Sequence, residues 1–170
     1  MLREVTRMVG VVPNTAYRHF ADRDALLAAV RDEAVRELAQ RMAGRMSRVR
    51  AGPHTPTGAR LRFRAVGQAY LEFARNEPGL FDTAFAATGD HQPGQGTDEP
   101  SPLDHLQSAL DNLVDAGTLT AARRPGIEYP IWASVHGLAV LLRGPLQSLT
   151  ERDKTHLEDR MLVFIGAAVS

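Results

Sequence analysis

The chain has 170 residues, 44% hydrophobic and 24% charged, with 20 basic side chains against 20 acidic ones and no cysteine. A chain of this length buries roughly 70% of its unfolded surface and can hold one substantial core; its composition excludes wholesale disorder, disulfides, thiolate chemistry and cysteine-ligated zinc. No apolar run approaches the roughly 18 residues of a membrane span, and the opening MLREVTRM has no apolar signal core, so a soluble cytoplasmic protein with no membrane partner is expected.

The elements follow in chain order. A short helix is predicted over residues 2–9, with Val5, Met8 and Val9 as its apolar positions, broken by Gly10-Val11-Val12-Pro13. A second runs from Pro13, favoured in a first helical turn, to about Phe20. Asp22 caps a third and much longer helix, where Leu26, Leu27, Val30, Ala34, Leu38, Met42, Met46 and Val49 recur mostly at steps of four. Gly52-Pro53 ends it. Leu61, Phe63, Val66, Tyr70, Leu71 and Phe73 mark a fourth helix that stops near Asn76-Glu77-Pro78-Gly79, and Leu80, Phe81 and Phe85 a short aromatic one. Residues 88–102, rich in Gly, Pro, Asp and Gln, read as a mobile loop. Leu103, Leu106, Leu110, Leu113 and Val114 give a helix closed by Gly117, and after Arg123-Arg124-Pro125-Gly126 another spans 127–143. Thr150 caps the last, whose apolar residues are Leu157, Met161, Leu162, Phe164, Ile165 and Val169. The expected fold class is all-α.

Charge is unevenly spread along this order. Residues 1–50 carry ten Arg against six carboxylates, a net +4, while the other 120 residues carry ten basic and fourteen acidic groups, a net −4. A basic N-terminal segment on an acidic body points to a polyanion partner for one part only. Two short helices joined by a Gly-containing turn, followed by a long helix, form a helix-turn-helix pattern.

The residues that carry this pattern are Arg3-Glu4-Val5, Gly10-Val11, Pro13, Tyr17-Arg18-His19-Phe20 and Arg23-Asp24-Ala25-Leu26-Leu27. Over about the first 45 residues they resemble the DNA-binding region of TetR family transcriptional regulators. Near the other end, Trp132-Ala133-Ser134-Val135-His136-Gly137-Leu138 resembles the Trp…His-Gly motif of one TetR-type C-terminal domain class. The resemblance implies a helix-turn-helix domain over 1–45, its first helix missing as written, and a C-terminal ligand-binding and dimerisation domain over 46–170. Val12 stands where the family usually has Ser or a similar N-cap.

A recognition helix presents its N-terminal residues to base edges in the major groove. The family pattern puts Asn14 and Thr15 there and Arg23 at a phosphate of the double-stranded operator DNA; Tyr17 and His19 offer donors to phosphates, and Arg3 and Arg18 are expected as additional phosphate contacts. It places the homodimer on the last two helices. The small residues Ala133, Ser134 and Gly137 let another helix approach, and Leu138, Val140, Leu141 and Leu142 make that helix apolar nearly all round, as burial by its own core and a partner demands. A small-molecule effector is expected among Tyr70, Phe73, Phe81, Phe85, Trp132, Val135 and His136, although aromatics at helical spacing are more often ordinary core. His136, amid apolar residues, reads as a satisfied core or interface histidine.

The resulting expectation is a ligand-responsive repressor without cofactor, associated with the nucleoid when bound to DNA. The alternative is a ligand-binding dimerisation module that has lost autonomous DNA binding. A small helical enzyme ranks below both, because the sequence has no HExxH, GxSxG, Gly-rich phosphate loop or EF-hand spacing.

Overall fold

The structure, a computed structural model, describes residues 23–86 and 99–170. Within them the chain is all-helical: α1 (Arg23–Ser47), α2 (Pro56–Asn76), α3 (Pro78–Ala84), α4 (Pro102–Asp115), a single 3-10 turn (Ala121–Arg123), α5 (Glu128–Arg143) and α6 (Glu151–Ala168). The two short helices predicted over 2–9 and 13–20, and most of the segment read as a loop over 88–102, lie outside the described residues. The last residue of that segment, Pro102, begins α4.

Several helix ends have a local cause. Thr55 caps α2, its hydroxyl accepting from the Gly58 amide at 3.1 Å, and Pro56 takes the first turn, where no N–H is missed. The α1–α2 elbow is tight. The Arg62 guanidinium donates to the carbonyls of Ala51 (2.6 Å) and Val49 (3.1 Å), and a Cβ on Gly58 would stand 1.9 Å from the Gly52 carbonyl oxygen. Only glycine fits there. Ser101 and Asp104 form a reciprocal capping box at the head of α4. Gly117, at φ 69°, ends that helix in the left-handed region. Thr150 caps α6 by accepting from the Asp153 amide.

Helix α2 is the axis of the molecule and packs against every other α-helix. Its buried face, with Phe63, Val66, Tyr70 and Phe73, meets Leu38 and Met42 of α1, Leu106, Leu110 and Leu113 of α4, Ile131, Val135 and Leu138 of α5, and Leu162 and Ile165 of α6. Each fully buried Leu or Phe contributes about 1.5–3 kcal/mol relative to exposure. Helix α6 comes so close to α2 that a Cβ on Gly67 would lie 2.5 Å from Leu162 Cδ2. A smaller cluster of Ala34, Val35 and Ala84 joins α1 to α3. The buried Arg31 side chain reinforces it, its Nε donating to the Thr83 carbonyl at 3.3 Å.

Two buried carboxylates are paired. Glu158 on α6 accepts from Arg75 at 2.8 Å, and Glu128 on α5 accepts from Arg124 at 2.9 Å. Burial nevertheless pushes the Glu158 carboxyl upward against the pull of Arg75. One face of α5 and α6 has no such cover. Val140 and Leu141 are about half exposed, and Val163 and Phe164 are 65% exposed, with Ala133 and Ala167 open beside them.

Candidate functional site

Five helices converge on one apolar cavity of about 30 Å³. Helix α2 supplies Phe63, Val66, Gly67 and Tyr70. Helix α4 closes one side with Pro102, Leu103 and Leu106, and α5 the other with Ile131, Trp132 and Val135. Met42 enters from α1 and Ile165 from α6. Period-3.6 spacing explains the grouping: Phe63, Val66 and Tyr70 lie three or four positions apart on one helix face, and Val135 follows Trp132 by three positions and Ile131 by four.

A polar chain runs through the wall. The Trp132 indole Nε1–H donates to the Tyr70 hydroxyl oxygen at 3.2 Å, and that oxygen lies 2.7 Å from His136 Nδ1. An indole can only donate, so the Tyr70 oxygen accepts from it. Full pairing of the buried hydroxyl then sends its proton to His136 Nδ1, and the hydrogen-bond pattern assigns the imidazole proton to Nε2. Desolvation acts in the same sense on both rings. Burial lowers the His136 pKa, favouring the neutral imidazole, and raises that of the Tyr70 phenol well above its ordinary value.

Behind this chain the rings interlock. His136 stacks on Phe81 at 5.4 Å between centroids and meets Phe85 edge-on at 5.1 Å; Phe85 in turn meets Trp132 at 6.2 Å. The Arg143 guanidinium lies 5.2 Å from the centroid of Phe81 and pairs with Asp82 of the same short helix. Such ring pairs add about 0.5–1.5 kcal/mol beyond their buried area.

Of the effector residues expected from the sequence, Tyr70, Trp132 and Val135 line the cavity. Phe81, Phe85 and His136 form the aromatic cluster beside it. Phe73 is fully buried elsewhere on α2, with Arg41 over its ring. Met42, Phe63, Val66, Leu103, Leu106 and Ile165 also line it but were read from the sequence only as apolar stripe positions, and Gly67, Pro102 and Ile131 were not singled out as site residues; periodicity marks an inward face without saying which faces meet. Of the DNA-contact residues, Arg3, Asn14, Thr15, Tyr17, Arg18 and His19 lie outside the described residues, and Arg23 is described only as the backbone that opens α1. Among the described residues no group of three His, Asp or Glu converges to hold a metal ion, and no helix is long and apolar enough to cross a membrane.

A search of curated proteins returned no match. Among solved structures, one from Rhodococcus sp. RHA1, described as a protein with unknown function, superposes with a TM-score of 0.60 at 23% identity, covering 95% of this chain and 82% of the other. That likeness shows a shared fold. The family model described as "Tetracyclin repressor-like, C-terminal domain" matches residues 63–165, which include all of the cavity lining except Met42 and the whole aromatic cluster. The chain therefore belongs to the TetR family.

Proposed function

We propose that this protein is a ligand-responsive transcriptional regulator, most simply a repressor, that acts as a homodimer on double-stranded operator DNA. The observation that carries the reading is the position of Met42. It lines the cavity, yet it sits on α1, the helix that opens at Arg23 inside the segment of about 45 residues that resembles a DNA-binding region. A ligand that prefers one cavity shape thereby biases the placement of α1 and of the residues before it. The contacts proposed for DNA are Asn14 and Thr15 to base edges and Arg3, Tyr17, Arg18, His19 and Arg23 to phosphates.

The dimer is proposed on the exposed stripe of α5 and α6, where Val140, Leu141, Val163 and Phe164 lie open beside Ala133 and Gly137. Large apolar side chains left exposed on two helices that pack against each other point to an interface. The division at about residue 45 falls near the C-terminus of α1, so the proposed head and body share that helix. Such a protein resides in the cytoplasm and joins the nucleoid when bound to DNA.

The test is a fluorescence-anisotropy titration of the full chain on its own upstream DNA against scrambled duplex, repeated over a range of salt. The expected result is a preference of about 10³-fold or more for the upstream site, with affinity falling steeply as salt rises. Equal binding to both duplexes, or none, contradicts the reading.

A further inference from the structure

The chemistry of the cavity wall narrows the class of molecule that fits inside. No Arg, Lys, Asp or Glu is among the lining residues, and the wall exposes almost no polar surface. The polar atoms closest to it are already committed, since the Trp132 N–H serves the Tyr70 oxygen and the Tyr70 hydroxyl serves His136. Among the described residues, no buried side-chain nitrogen or oxygen lacks a partner. A charged or polyhydroxylated guest would shed its hydration and receive no hydrogen bond in return.

Shape adds a second restriction. At about 30 Å³ the resting cavity holds little more than a water molecule or two, so a guest must be slender and must displace side chains that yield. Met42, unbranched and adaptable, and the half-buried Leu103 at the start of α4 are the natural ones. The larger cleft of about 490 Å³ lined by Arg75, Arg143 and Lys154 offers the opposite chemistry, but its three cations are paired with Glu158, Asp82 and Glu151. That cleft is occupied by the protein's own charge network.

We propose, resting on the reading of this cavity as the effector site, that the effector is an uncharged molecule with a slender hydrocarbon body, held by apolar contact and without a charged anchor. Its affinity grows with the apolar surface it buries, and a carboxylate on the same hydrocarbon weakens it.

The probe is 1,6-diphenyl-1,3,5-hexatriene, an uncharged, rod-shaped apolar fluorophore, bound to the full chain at pH 7.5 and displaced by 1-decanol or by decanoate. The expected result is that decanol displaces it at a concentration about tenfold or more below that needed for decanoate, because only the latter buries a charge. Leu103→Trp, which fills the rim, and Val135→Phe, which fills the floor, each lower probe affinity about tenfold while retaining a cooperative thermal transition. Leu103→Ala, which widens the rim, retains or strengthens binding. Decanoate displacing the probe as well as decanol does overturns the proposal, as does unchanged binding in both filled variants.

Upstream DNA binding measured on the same samples separates the two claims. Decanol-sensitive probe binding without any DNA preference contradicts the regulator and supports the apolar ligand class. A specific DNA complex in a protein that takes up neither probe nor decanol contradicts the ligand class alone.

Discussion

The Tyr70 hydroxyl carries more of the site's order than any other single atom, because Trp132 and His136 both depend on it. Tyr70→Phe keeps the ring and its edge contact with Phe81 but leaves the Trp132 N–H and the His136 Nδ1 unpaired. The expected cost is about 1–3 kcal/mol, read as a lower urea midpoint with an unchanged slope. His136 adds a pH dependence whose sign is fixed by burial. Its folded pKa lies below the ordinary value of about 6.5, so between those two values the unfolded chain binds more protons and stability rises with pH. Burial lowers the His105 pKa too, which acts in the same direction. The thermal midpoint is therefore expected to drop as pH falls from 8 toward 5, and His136→Asn to flatten that drop. An NMR titration of His136 with a midpoint above 6.5 would contradict the assignment. The sequence marked His136 as a satisfied core or interface histidine in apolar company, but the group that satisfies it was not legible there. Its partner Tyr70 stands 66 positions earlier on another helix, and a hydrogen bond between distant positions leaves no periodic trace. The buried Arg31 was unreadable for the same reason, since its acceptor is a backbone carbonyl on α3.

Among elements, helix ends and close approaches separate what sequence discloses from what only packing decides. The long apolar stripe gave α1 to within about two residues of its end at Ser47, because steps of four persist over several turns and Gly52-Pro53 stops them. Thr150 was legible as a cap because its side chain acts within three residues. Ser101→Ala is expected to cost about 1 kcal/mol by opening the α4 capping box. The short 3-10 turn at Ala121–Arg123 carries no apolar pattern and was not read from the sequence, which marked only the connector beginning at Arg123. Glycines at contacts were equally silent. Gly58→Ala and Gly67→Ala are the same change on paper, yet the first meets backbone atoms of Gly52 and Ala51 and the second the end of the Leu162 side chain. Backbone cannot step aside as a side chain can. Gly67→Ala is expected to cost about 1–3 kcal/mol and Gly58→Ala distinctly more, as thermal or urea unfolding of the two variants would show.

For the molecule as a whole, an all-α architecture follows from the successive helical stripes, whereas the central position of α2 and the place where the stripes meet do not. The resemblance at residues 132–138 marked α5 as a dimer helix, and in the structure one face of that helix walls the cavity with Ile131, Trp132 and Val135. Its opposite face leads to the other whole-molecule feature. Val140 and Leu141 lie on the open side of the helix while Leu138 and Leu142 are buried; together with Val163 and Phe164 of α6 they form a surface that a second copy of the chain would cover. Apolar residues all round α5 were legible as a helix covered by its own core and by a partner, and the structure supplies the first, with α2, α4 and α6 packed against it.

Sedimentation velocity of the wild-type protein and of Phe164→Glu, each with and without its upstream duplex, tests the proposed regulator most directly. Phe164 is 65% exposed, so the substitution leaves the protomer core intact and places a charge in the proposed interface. The account predicts a wild-type dimer at micromolar concentration that binds the duplex as a dimer, and a folded monomeric variant that has lost its preference for that duplex. A monomeric wild type, or a variant that dimerises and selects the upstream duplex unchanged, would contradict it.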